Sequence, residues 1–345
     1  MSMSEQGLIL KASTDEARCD SYRVGGAIVD HDVISGLWRM WYYCRDRAFG
    51  GPATLGTGYI AHARSEDGIH WTRVDGDCEK GAVFAPSTDP AAFDSVHVGL
   101  TDVTRGAGEW LMWYFGGDAT PRENKAAFLG GPVAGLGMRP GLARSQDGVH
   151  WERVSGALAN GALIDFPADD MYASWPNVIH DGQRYVMQYT APTLDLGYFH
   201  TRVAVSTDGR TWDGAGELNW ADGVRGFDEG GLVTRQILPN PLLGGRRFLM
   251  IYTATDKDHK RAVAAADSDN ALDWYHLYEE PIFETGPEGA WDSYGVAANR
   301  LVVAGDQLYF YYYGFQSLTD PTTARGIGLA VCPVGDLRRL TRVTA

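Results

Sequence analysis

Long apolar runs are absent from this sequence. No stretch approaches the roughly 20 residues that cross a bilayer as a helix, so a helical membrane protein is not expected. Cysteine is scarce. Cys19, Cys44, Cys78 and Cys332 are scattered with no CxxC pair, which leaves a metal-thiolate cluster without its ligands. Free thiols in a reducing cytoplasm are the expectation. Basic residues are outnumbered, 30 Lys and Arg against 44 Asp and Glu, and the formal net charge is −14. Phosphate backbones and anionic lipid surfaces both require a basic face, so neither nucleic acid nor membrane is an expected partner. The start, Met1-Ser2-Met3-Ser4-Glu5, lacks the basic-then-apolar pattern of a secretory signal. Helical periodicity is missing from every long segment.

Aromatic residues and glycine fill that space: 11 Trp, 17 Tyr, 12 Phe and 43 Gly. This mixture suits many short strands joined by tight turns. An internal repeat gives them an order. One motif reads Ser, then Asp-Gly, then Trp six residues after the Ser, at Ser65–Trp71, Ser145–Trp151 and Ser206–Trp212. A fourth copy, Ser268–Trp274, keeps the spacing but loses the Gly. Asp-Gly between strands marks a hairpin, because Gly accepts the positive φ the turn requires. A structural role is expected for this motif.

A second motif places an Asp ahead of an apolar strand, at Asp20, Asp94, Asp170, Asp228 and Asp292. An aromatic-rich strand follows each, as in Trp38–Tyr43, Trp110–Phe115, Tyr185–Tyr189, Phe248–Tyr252 and Leu308–Tyr313. Each unit therefore reads Asp strand, aromatic strand, small-residue strand, Asp-Gly turn and Trp strand. Four antiparallel strands repeated radially make propeller blades, so the chain is expected to be all-β. The predicted architecture is a single five-bladed β-propeller over residues 1–345, with blades starting near the five Asp residues. The fifth unit lacks its Asp-Gly-Trp, and Gly7–Leu10 is the candidate for its missing outer strand.

The Phe-Asp-Ser strand, the Tyr-x-Met-x-Tyr strand and the Ser-x-Asp-Gly-x-x-Trp turn together resemble the five-bladed propellers of the arabinanase, xylosidase, invertase and levansucrase superfamily. The likeness runs from about Asp20 to Val331. It implies a glycoside hydrolase with three carboxylates in a central funnel: a base on the first blade, a modulator on the second, and an acidic Glu on a later one. By blade order Asp20, Asp94 and Glu229 take these roles, with an oligosaccharide or small glycoside as ligand. The resemblance calls for no cofactor beyond a structural cation on the axis. The chain departs from the invertase branch, having no Trp-Met-Asn-Asp-Pro-Asn-Gly, Arg-Asp-Pro or Glu-Cys-Pro.

Residues that break the repeat point further. Three positions after each recurring Asp stand Arg23, His97, Ala173, Gly231 and Gly295, so two blades carry large polar groups where three carry small ones. Asn177, Arg235 and Arg300 lie among strand residues, where an unpaired polar group would be costly. Tyr22, Trp175 and Tyr294 could stack on a ring. With Asp292 these form the candidate binding set. Each also has a structural reading: a recurring Asp often caps a turn, and aromatic side chains pack between blades. Glycoside hydrolysis is the expected function, and the mixed set also suits an alternative, a non-hydrolytic propeller that binds or tailors a small acidic or aromatic metabolite.

Overall fold

The computed structural model describes residues 5–47, 55–56, 58–106, 108–126, 131–317 and 323–344. Strand β1 (Leu8–Leu10) is followed by five antiparallel sheets in chain order. The first is β2 (Arg23–His31), β3 (Trp38–Arg45), β4 (Tyr59–Ser65) and β5 (Thr72–Val74). The second is β6 (His97–Arg105), β7 (Trp110–Gly117), β8 (Arg139–Ser145) and β9 (Glu152–Val154). The third is β10 (Ser174–His180), β11 (Tyr185–Pro192), β12 (Phe199–Ser206) and β13 (Asp213–Glu217). In the fourth, β14 (Asn219–Trp220) lies parallel to the outer strand of β15 (Leu232–Pro239), β16 (Phe248–Thr255), β17 (Arg261–Ser268) and β18 (Asp273–His276).

The fifth sheet holds β19 (Gly295–Ala304), β20 (Gln307–Phe315) and β21 (Arg325–Pro333). Its outer edge is built from both ends of the chain. β1 pairs with Ile327 and Gly328, and β22 (Thr341–Arg342) pairs with Ala330 and Val331. The Trp291 indole donates to the Gln6 carbonyl, and the Gly7 amide to Val343, locking the two ends together. The ring closes there, as the lone Gly-Leu-Ile-Leu segment suggested.

The Ser-x-Asp-Gly turns explain their own sequence. In the first, the Ser65 hydroxyl accepts from the Gly68 amide at 2.9 Å, and Asp67 accepts from the amides of Ile69 and His70. Gly68 takes φ +74°, which a side chain would disfavour. The same bonds recur at Ser145 and Ser206, while in the degenerate copy Ala271 is forced to φ +59°. The turns also staple blades. The Trp41 indole donates to the Gly148 carbonyl, Tyr311 to that of Gly68, and the Gln188 amide to that of Ala271, each from one blade to the next.

The recurring Asp residues are buried, and each sits in the turn just before its inner strand. Asp20 accepts from the Tyr42 hydroxyl at 2.8 Å and the Arg73 guanidinium at 2.5 Å. Asp94 does the same with Tyr114 and Arg153, and Asp292 with Tyr312 and Arg342. Asp170 is held by both donors of Arg202. Asp228 bonds Tyr252 and His276. In four blades the Asp thus ties the second strand to the outermost one, and in the third it holds Arg202 of the third strand. Each blade needs a tie of this kind, which is why the Asp repeats.

Candidate functional site

Every inner strand carries a register shift near its middle, between Gly25 and Ile28, Leu100 and Asp102, Ser174 and Asn177, Leu232 and Arg235, and Ala298 and Arg300. Bulges re-aim side chains, and here they divide the axis into two zones. After the bulges, polar side chains close the centre. Arg300 donates to Asp102 at 2.9 Å and to the Val29 carbonyl; Asn177 donates to Asp102 at 3.0 Å and accepts from the Ile237 amide. One member comes from each blade, so the network is a polar plug that ties the five inner strands together. Burial raises the Asp102 carboxyl above its usual range, with Arg300 opposing the shift.

Before the bulges the five strands open into a cavity of about 440 Å³. Its lining includes Arg23 from β2, His97 and Leu100 from β6, Trp175 from β10, Val233 and Thr234 from β15, and Ala297 and Asn299 from β19. Tyr43, Phe115 and Tyr313 reach it from the second strands, and Arg45 and Arg261 stand at strand ends. Met138, Met171, Leu136 and Leu196 complete an apolar wall. No Asp or Glu among the described residues lines it. The segments outside the description contain a single acid, Asp320.

The electrostatics follow from that imbalance. Arg45 bonds the Tyr43 hydroxyl and the Leu55 carbonyl. Among the described residues Arg261 finds no ion-pair or side-chain hydrogen-bond partner, and desolvation draws its guanidinium below the usual arginine range although the phenols of Tyr172, Tyr313 and Tyr294 oppose the shift. His97 is buried with its ring edge-on to Tyr43 and tilted against Phe115. Its Nδ1 faces the close backbone at Gly58 and finds no partner. Burial, then the charge of Arg45, push the imidazole well below its ordinary value, so it is neutral at neutral pH. Trp175 takes φ +50°, an unusual backbone for a bulky residue, and packs on Phe115 and Tyr172.

Of the candidates from sequence, Arg23, His97 and Trp175 meet in this cavity. The three assigned carboxylates do not. Asp20 and Asp94 are consumed by the blade ties described above, and Glu229 is exposed on the loop after a short 3₁₀ turn, Gly226–Asp228. Asp292 belongs to the same tie in the fifth blade. Asn177 and Arg300 form the axial plug, where the Arg300 guanidinium stands against the single carboxylate of Asp102. Among the described residues no cluster of three metal-ligating side chains occurs. Arg235 is buried beside the third blade, bonded to the hydroxyls of Thr190 and Thr201, and burial lowers it to about 9. Tyr22 receives a bond from Arg23, and Tyr294 is exposed beside Phe315; neither lines the cavity.

The sequence carried a signal for some of what was missed. Tyr43, Phe115 and Tyr313 each follow the Tyr that bonds the recurring Asp, and strand alternation turns that next residue toward the funnel. Arg45 and Arg261 carry no such mark.

No family model matches the chain, and no curated protein matches it by sequence. Solved structures do. An N-acetylgalactosamine deacetylase from F. plautii, solved with blood group B trisaccharide, superposes with a TM-score of 0.65 at 17% identity, over 97% of this chain and 96% of that one. A glycosyl hydrolase from Bacteroides ovatus gives 0.62 at 15% identity, over 97% and 92%. Sucrose-6-phosphate hydrolase from Lactobacillus gasseri gives 0.63 at 14%, over 98% of this chain and 63% of that one. The chain has the fold of the five-bladed glycoside-hydrolase propellers. At such identities the likeness extends to the fold alone, so function has to be argued from the funnel.

Proposed function

We propose that this propeller is a small-molecule enzyme that binds a largely apolar metabolite in its funnel and moves a proton on it through His97, as an isomerase, lyase or cyclase does. The observation that carries this reading is the absence of any acid among the described lining residues. Glycoside cleavage in this fold family uses two carboxyls, roughly 5–5.5 Å apart for retention or 6.5–9.5 Å for inversion. Here the wall offers arginines, phenols and one neutral imidazole. With Nδ1 turned toward Gly58, the Nε2 of the neutral imidazole is the atom left to take a proton from a ligand and return it. Apolar walls exclude water from such a step.

The test has two arms. The protein is screened by thermal shift against sugars and against aromatic and acidic metabolites, since a ligand of the native state raises its melting temperature. Metabolites that bind are then incubated with the protein in D₂O, and deuterium uptake is read by mass spectrometry. Uptake catalysed by the wild type and lost in His97→Gln supports the reading. Hydrolysis of an aryl glycoside that is lost in Asp20→Asn or Glu229→Gln would overturn it in favour of the two-carboxylate mechanism.

A further inference from the structure

Arg261 and Trp175 face the same cavity from different blades, and each carries a cost that the folded protein alone does not offset. The Arg261 side chain is only partly exposed at the cavity wall and gains no carboxylate, carbonyl or hydroxyl partner among the described residues. Placing a cation in such surroundings is unfavourable unless an anion completes the pair. Trp175 holds a left-handed backbone at a bulge, and strained conformations of this kind gather at ligand sites. Its ring packs with Phe115 and Tyr172, extending an aromatic wall. Tyr172 and Arg261 line the same cavity, which puts wall and cation in one site.

We propose that the funnel binds a planar aromatic carboxylate, its acid group held by Arg261 and its ring laid against Trp175. This rests on the funnel being a small-molecule site and adds the class of molecule. A guanidinium forms two parallel hydrogen bonds with a carboxylate, a fit that a lone hydroxyl or amide lacks. Besides a few polar groups (Arg23, Arg45, His97, Thr234 and Asn299) the lining is apolar and aromatic, with too few partners for a sugar that carries a hydroxyl on nearly every carbon. A volume near 440 Å³ admits a bicyclic ring with a short acidic arm.

The experiment is isothermal titration of the whole protein with benzoate, cinnamate and indole-3-acetate, each beside its amide and beside phenyl phosphate. At least one acid is expected to bind ten-fold or more tightly than its amide. Arg261→Met should abolish that preference while keeping amide affinity, and Trp175→Ala should weaken acid and amide together. Arg261→Met should also melt no lower than the wild type without ligand, because the guanidinium makes no bond to lose; this separates lost recognition from lost fold. Equal binding of acids and amides overturns the Arg261 assignment but leaves the small-molecule reading standing. Preference for phenyl phosphate, or no binding by any acid at millimolar concentration, overturns the carboxylate class. Binding by sugars alone overturns both readings.

Discussion

The indole N–H of Trp41 reaches the carbonyl of Gly148 at 2.6 Å, joining the second strand of the first blade to the hairpin turn of the second. Both groups are buried, and the Trp41 ring also packs against Trp110 and Trp151. Trp41→Phe removes this donor and leaves the carbonyl to the Trp151 indole at 3.1 Å. Losing one hydrogen bond while the acceptor keeps another costs about 0.5–1.5 kcal/mol. Urea denaturation should show a loss in that range, and an unchanged midpoint would mean that the seam is held by packing alone.

Asp20 and Glu229 separate structure from surface. Asp20→Ala strips a fully buried carboxylate from Tyr42, Arg73 and Arg18, and losing one partner of such a network costs about 3 kcal/mol or more. Glu229→Gln alters an exposed side chain and should leave stability and ligand binding as they were. Paired melting curves check both.

His276 takes the place that arginine holds in the other blades, with Nε2 on Asp228 at 2.8 Å and Nδ1 on Asp222 at 2.9 Å. Burial pulls its pKa down, but the bonds to Asp228 and Asp222 outweigh it and hold the imidazolium above the ordinary 6.5. A raised folded pKa gives stability that is fully present below about pH 6.5 and lost as pH rises through the folded value. Denaturant midpoints across that range should fall with rising pH, and His276→Gln should be less stable at low pH and lack that slope.

His62 works in the opposite direction. Buried against Trp41 with neither nitrogen bonded, it is lowered to about 3 by burial, with Arg64 and Arg39 adding to the shift. The unfolded chain then takes up the proton first, so stability falls as pH drops from about 6.5 toward that value. His62→Leu should flatten the acid side of the stability curve. A wild type that holds its midpoint down to pH 4 would refute the buried neutral imidazole.

Repetition is what made the fold readable. The Ser-Asp-Gly turn solves a local problem in four blades, one copy degenerate, and the recurring Asp does so in all five, so both leave a period in the sequence. The site had no such period. Arg23 and His97 stood out because they broke the repeat at a position where other blades carry Ala173, Gly231 and Gly295. Asn177 and Arg300 broke it too, yet the bulge ahead of each sends them to the axial plug instead of the cavity. Strand alternation cannot be carried across a bulge whose position is not written in residue types. Arg261 was silent for another reason: it begins its strand beside Lys260, where a sequence shows only an ordinary basic pair.

The shared outer edge of the fifth sheet sets an order of events during synthesis. Leu8–Leu10 is synthesised before any of the five blades, and its partner strand is made more than 300 residues later. At about 5–20 residues per second, that segment waits on the order of tens of seconds with its hydrogen-bonding groups and leucines unclaimed. The first four sheets can be complete while the circle is still open. A nascent chain of this protein is therefore an incomplete ring with a free edge, exposed to pairing with its neighbours on the same message until the last strand arrives.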